Sequence, residues 1–359
     1  VGVLGPEVPP TAVVAHHLAI QAQDWPASRW VIGSRLAAAG APASEEVVRA
    51  AYDRGEIVRA WPMRGTVHAM TAHDLRWLND MAGRRVLGGV ARRWEVLGID
   101  EPFLDRVREE IVELLSDQVP RTREQIAAAL AARGIALEGG LRYHAIWYLT
   151  QTGWLVHGPV DPDSGSHAVV LQEHHLPEPG DPVTEEERER ELAERYLRSH
   201  GPAQVEDLVW WTGMTKTAIR RGIAALGDEV IRFDSNGREL LMLAERAAAL
   251  DPDCPEAGSA TLALAAFDEH LLGYTDRSDV LDPKLATAVD PARNGVFRAT
   301  IVQDGRVVAT WKRKPLTNHI RVEVTPIVRL NAAKRKRIRL ALEPWGAFVG
   351  RDVEVRFGD

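Results

Sequence analysis

The strongest constraint on the fold is a plan that recurs three times along the chain: three helices followed by a two-stranded hairpin. It is sharpest over residues 184–243. There EERERELAERYLRSHG precedes VEDLVWWTG and MTKTAIRRGIAALG, two short helical segments joined around Gly213 as a helix-turn-helix requires. VIRFD and RELLML then flank the turn SNG, the signature of a hairpin wing. In the middle copy Phe103, Val107, Ile111 and Leu114 share one helical face. Thr122 is placed to cap REQIAAALAARG, which stops at Gly134. LRYHAIWYLTQTG supplies the third helix, and WLVHGP and HAVVLQ alternate around DPDSGS. The first copy is looser, with helices over 11–23, 26–39 and 44–54 before EIVRAWPMRGTVHAM. Three helices and a hairpin make a winged helix, whose third helix ordinarily enters a DNA groove.

Beyond Leu250 the pattern changes. A linker, DPDCPEAGS, leads into strand-like pieces: TLALAAF, GVFRATIVQDGRVVATWKRK, HIRVEVTPIV and RDVEVRFGD, with a basic helix over 331–342 between the last two. The expected class is therefore α+β. Three tandem winged-helix units occupy 1–95, 96–178 and 179–250, and a small β-rich, barrel-like domain fills 251–359.

The longest apolar runs, such as 260–267, are far too short to span a bilayer, so no membrane association is expected. VGVLGPEVPP offers neither a basic n-region nor an apolar h-region, and no secretory signal is expected. A single cysteine, Cys254, excludes an intramolecular disulfide framework and any multi-cysteine zinc site, which fits a reducing cytoplasm. No heptad run marks an obligate dimer, and a monomer is expected. The net charge of −7 argues against a nucleic-acid partner only until its distribution is considered. Acid is concentrated over 178–194, whereas base gathers in GRRVLGGVARRW (83–94), WKRK (311–314) and KRKRIR (334–339). Segregated charge of this kind can present a basic face to DNA, although a single charge run is usually a solvated helix face.

Familiar catalytic signatures are missing: the chain contains no HExxH, no Walker A loop, no GxSxG and no GxGxxG after a strand. The neighbouring pairs His16–His17 and His174–His175 diverge on a helix and do not make a metal site. Asp268 and Glu269, in FDEHLLGY, diverge likewise, so a cap or structural ion pair is the expected use of one of them. The segment Gln21-Ala22-Gln23-Asp24-Trp25-Pro26 is more informative. Two glutamines flank one small residue where the first helix closes, and Pro26 opens the next helix where proline is tolerated. The two amides can converge on one site if the helix unwinds there. By spacing alone, polar side chains at a helix end are more often solvated and idle.

The run LAIQAQDWPASRWVIGSRL followed by MRGTVHAMTAHDL resembles the opening of the AlkZ-type DNA glycosylases, a bacterial winged-helix family. GPAQVEDLVWWTGMT, AAFDEHLLGYTDRSDV and GVFRATIVQDGRVVATWKRK are similar to the same family in the same order, so the resemblance spans nearly the whole chain. It implies three winged helices in a curved arrangement with a β-rich C-terminal domain. It also implies excision of alkylated bases, notably N7-alkylguanine and some interstrand crosslinks, from double-stranded DNA; no cofactor or metal is expected, because hydrolysis of a cationic nucleoside needs none. The family's Gln-apolar-Gln motif falls on Gln21 and Gln23 here.

The chemistry is consistent. An N7-alkylated purine is cationic and leaves without a strong acid, so what remains is to hold a water and stabilise an oxocarbenium-like sugar. Glutamine carbonyls can do both by orientation and partial charge, although an amide is no general base. Asp24 adjoins the motif as a stronger base, and His68 falls in the first wing as a contact to phosphate or lesion, or as a structural histidine. Arg35, Arg64, Arg84, Arg85, Arg142, Lys334 and Arg335 are candidate phosphate contacts. The chain has no lysine before Lys216, so no amine nucleophile is expected near the motif and a monofunctional enzyme follows. A non-catalytic winged-helix regulator is the competing class. Against it, MTKTAIRRGIAALG offers few side chains that read base edges.

Overall fold

The computed structural model describes residues 5–161, 166–178, 180, 183–249 and 260–358, with the side chain of Arg84 excepted. The linker that holds Cys254, the tip of the DPDSGS turn and the first four residues lie outside the described residues. The chain is a mixture of helices and strands that divides into two compact units. One comprises residues 1–49, 189–211 and 215–359, and the other residues 50–188 and 212–214.

In the second unit the helices Glu101–Leu115, Arg123–Ala132 and Gly140–Gln151 match the periodic segments within two residues. Thr122 caps as its hydroxyl chemistry dictates: its Oγ1 accepts from Gln125 N–H, and the Gln125 side chain accepts from Thr122 N–H, a reciprocal capping box. The apolar faces of these helices bury Val107, Ile111, Ile126, Leu130, Ile146 and Leu149 in one core with Leu155, Val169 and Leu171 from the hairpin behind them. The two hairpins of this unit share a sheet. Its strands run in the order Thr66–Thr71, Ile57–Met63, Leu155–Val160, His167–Leu171 and Arg121–Thr122, with Arg59 facing His157 where the hairpins join. Ile57–Met63 is consequently central and buried along its whole length.

In the first unit the helix Val205–Thr212, all but its last residue, and the helix Lys216–Ala225 precede a hairpin, Val230–Ser235 and Arg238–Leu243. Its two-residue turn places Asn236 and Gly237 at φ 56° and 77°, the positive pair that matches the twist of a hairpin. The C-terminal strands correct one expectation. They form an open five-stranded sheet, not a barrel, in the order Val353–Phe357, Ile320–Pro326, Arg306–Pro315, Ala299–Gln303 and Thr261–Leu264. Closure is prevented by the last connection. The helix Ala332–Val349 carries the chain over the sheet, so Val353–Phe357 pairs parallel to Ile320–Pro326 and remains an edge. This helix runs seven residues past the end of its basic stretch, and it packs on the helix Trp25–Ala38 through Phe348 and Trp30, ring centres 5.2 Å apart. Gly33 permits that approach, because a Cβ there would lie 2.3 Å from Phe348 Cε2.

Candidate active site

The two glutamines do not end a helix, as their sequence position had indicated. The first helix, Pro10–His17, stops four residues before Gln21. Leu18 then adopts φ 65° and ψ −51°, and Ala19 N–H donates to His17 O at 2.8 Å. This is a γ-turn with positive φ, the rarer and more strained hand for a side-chain-bearing residue. The turn ends the helix abruptly and throws Ile20 and Gln21 into a two-residue strand. The next helix begins at Trp25 with Pro26 in its first turn, and Asp24 is its cap, its Oδ1 accepting from Ala27 N–H at 3.0 Å. The carboxylate of Asp24 is thus engaged in holding the helix start.

Between these two helix ends Gln21 is buried and Gln23 is exposed. Gln21 Oε1 accepts from Gln23 N–H at 3.3 Å, which folds the motif into a compact turn. Gln21 N–H in turn donates to Glu269 Oε1 at 3.3 Å. Glu269 is itself buried, and its Oε2 accepts from the Trp211 indole N–H at 3.0 Å and faces His200 Nε2 at 3.3 Å. The His200 ring stacks on Tyr196 with centres 4.5 Å apart and planes 4° from parallel. Sequence reasoning noticed Glu269 only as half of an acidic pair, and missed His200 and Trp211. They act at long range, and nothing in local spacing marks them.

Asp268 and Glu269 serve different partners. Asp268 caps the short helix Glu269–Leu272 and takes a bidentate ion pair from Arg35, Nη2 to Oδ1 at 2.8 Å and Nη1 to Oδ2 at 2.5 Å. Burial alone would raise the carboxyl of Asp268, but the Arg35 guanidinium holds it below the ordinary carboxylate range. This corrects the assignment of Arg35 to phosphate: its guanidinium is turned inward and consumed by Asp268. His17 lies in the same interior, with its Nδ1 3.0 Å from Val13 O. Burial, then the charge of Arg35 and the proximity of His200 and His16, push it well below its ordinary 6.5. A histidine depressed in the folded state lends stability that is present above pH 6.5 and is lost as pH falls below it. The melting temperature should therefore decline from neutrality toward about pH 5, and less steeply in His17→Gln. Equal slopes in the two proteins would contradict this.

Beside the motif a recess of about 410 Å³ opens against the start of the helix Trp25–Ala38. Asp24, Pro26 and Ala27 form one wall, and Trp30, Trp311 and Trp345 another, with Arg298, Lys312 and Arg313 among its charged residues. The indole N–H groups of Trp30 and Trp311 are satisfied by Ala263 O and Leu264 O at 2.8 and 2.9 Å, so the rings present apolar surface. In the other unit Arg64 and Arg85 line one recess of about 440 Å³ with Val86, Thr212 and Gly213. His68 is fully buried in the strand Thr66–Thr71, its Nδ1 2.9 Å from Thr66 O. Arg142 is partly exposed, 3.7 Å from Glu124. Asn331 Oδ1 accepts from Lys334 N–H, which caps the last helix, while the Arg335 and Arg339 guanidiniums both lie 4.9 Å over Phe357. Among the described residues no cluster of three or more His, Cys, Asp or Glu could hold a metal ion, and no helix is long and apolar enough to cross a membrane.

The AlkZ-like family, described as DNA glycosylase AlkZ-like, matches residues 14–348. An interstrand DNA cross-link repair glycosylase of Streptomyces sahachiroi is 29% identical over 327 residues, covering 86% of this chain and 84% of that protein. The solved structure of the Streptomyces sahachiroi DNA glycosylase AlkZ shares the fold with a TM-score of 0.79 at 24% identity, over 98% of this chain and 94% of that one.

Proposed function

The chain belongs to the AlkZ-like DNA glycosylase family, and from that premise we propose that it hydrolyses the N-glycosidic bond of N7-alkylated purines in duplex DNA. The observation that carries the proposal is the Gln21–Gln23 turn, one amide buried and anchored and the other exposed next to Asp24, which lines an open recess. Gln23 orients the attacking water with its carbonyl. Gln21 keeps one lone pair of Oε1 for the backbone of Gln23 and offers the second to the same water. Both carbonyls set negative partial charge beside the sugar as it becomes cationic, and the charged base leaves without an acid. No cofactor enters this scheme, and no lyase step follows.

The helix–hairpin units are winged helices that hold DNA by its backbone, the protein acting as a monomer in the cytoplasm. An ordinary glycosylase flips its target base, which a crosslinked base cannot do. A recess with an open mouth suits bulky and crosslinked adducts, in keeping with the named activity of the Streptomyces sahachiroi relative. The test is release of base from a duplex carrying one N7-methylguanine, read as alkali-labile cleavage, followed by bulky and crosslinked duplexes. Turnover of none of them would remove the proposal.

Backbone binding also predicts a salt signature. Arg64 and Arg85 share one recess and are the strongest pair of candidates for gripping phosphate. Replacing both by alanine should flatten the plot of log affinity against log salt by roughly 2, about 0.9 for each phosphate that is no longer neutralised. The weakening should be the same for any DNA sequence. An unchanged slope, measured by fluorescence anisotropy, would exclude the pair from the interface.

A further inference from the structure

We propose that Glu269 is the positioning residue of the catalytic turn, holding the Gln21 backbone from 248 residues away; this rests on the glycosylase reading of Gln21 and Gln23. The turn needs such an anchor. The segment before it passes through Leu18 in a left-handed γ-turn, a conformation its own sequence disfavours. The hydrogen bond from Gln23 N–H to Gln21 Oε1 ties the motif to itself and not to the rest of the protein. Glu269 makes a tertiary connection to the Gln21 backbone, and it stands on a rigid base: Trp211 is fully buried, His200 is stacked on Tyr196, and Tyr196 Oη–H donates to Gly273 O at 2.8 Å.

The donor arithmetic singles out a carboxyl group. Gln21 N–H and Trp211 Nε1–H are donors only, and they meet different oxygens of Glu269. Both oxygens must therefore accept. A glutamine at 269 has one acceptor, and in either orientation its NH₂ opposes an N–H: that of Trp211, or that of Gln21. Removing the indole N–H relieves the conflict. With phenylalanine at 211, the glutamine oxygen can face Gln21 N–H while its NH₂ donates to His200 Nε2, leaving His200 Nδ1–H for Ser199 Oγ, 2.8 Å away.

The experiment compares Glu269→Gln, Trp211→Phe and the double variant in the full chain. Single-turnover excision of N7-methylguanine, affinity for the same duplex and amide hydrogen exchange across the peptide that contains Gln21–Gln23 are measured. Glu269→Gln is expected to lower the excision rate by about 30-fold or more, with affinity within about threefold and faster exchange in that peptide. The double variant is expected to regain about tenfold in rate, and its exchange should slow again. A purely structural role predicts the opposite sign, because a second core substitution would add to the first. Wild-type rate in Glu269→Gln, or rate and affinity falling together without recovery in the double variant, overturns the proposal. If Glu269→Gln does not fold, Glu269→Asp takes its place: it keeps two acceptors but falls short of Gln21, and a wild-type rate there overturns the proposal equally. If the wild-type protein excises nothing, the glycosylase reading fails on its own, and exchange at the Gln21–Gln23 peptide still decides whether Glu269 holds the turn.

Discussion

Gln23→Ala is expected to lower single-turnover excision of N7-methylguanine by about 10²- to 10³-fold, the loss seen when one well-placed group that stabilises a transition state is removed. Its affinity for the same duplex should be nearly unchanged, because the side chain is one exposed amide and the proposed grip on DNA is through phosphates. Gln21→Ala should be at least as severe for a second reason. It deletes the acceptor of Gln23 N–H, so the turn opens as well as losing a carbonyl. Gln23→Glu discriminates further. If orientation of water is the task, a carboxylate should retain most of the rate, since it orients water and stabilises the sugar cation more strongly. Rates of both alanine variants within a factor of about three of wild type would mean that the motif is structural, since removal of a positioning group is expected to cost far more.

The second large effect concerns stability. Arg35→Ala is expected to cost about 3–5 kcal/mol, the range for leaving one member of a buried ion pair without its partner. The pair is well suited to show it: Arg35 and Asp268 are 11% and 2% exposed, and both terminal nitrogens of the guanidinium donate to the two carboxylate oxygens. Arg35→Lys should recover only part of the loss, because an ammonium cannot make the bidentate geometry. Urea denaturation monitored by tryptophan fluorescence measures both. A loss below about 1 kcal/mol in Arg35→Ala would mean that Asp268 relaxes into water or is held by its helix-capping contact alone. The consequence should reach the candidate site, because Asp268 precedes Glu269 in the chain and caps the turn of helix that Glu269 begins.

Much of the fold was legible because it is local. Thr122 and Gln125 announce a helix start three residues apart, and Asn236–Gly237 announces a hairpin, since each signal is satisfied within a few residues. The C-terminal sheet was legible as strands but not as an open sheet. Whether a sheet closes depends on the course of the connection over Ala332–Val349, and no alternation pattern encodes that. The burial of Ile57–Met63 was hidden for a related reason: it is central only because Leu155–Val160 joins it from the next hairpin.

The candidate site divides in the same way. The identity of Gln21 and Gln23, the start of a helix at Trp25–Pro26, and the lack of any motif for metal or nucleotide chemistry all belong to the sequence, because each depends on residue type and short spacing. Tertiary structure alone decided which amide is buried and which is exposed. It also turned Arg35 from phosphate toward Asp268 and brought Glu269, His200 and Trp211 beneath the motif. The physical reason is range. A cap or a turn completes its hydrogen bonds with near neighbours, whereas a buried carboxyl group must find donors wherever the fold delivers them, here 58, 69 and 248 residues away.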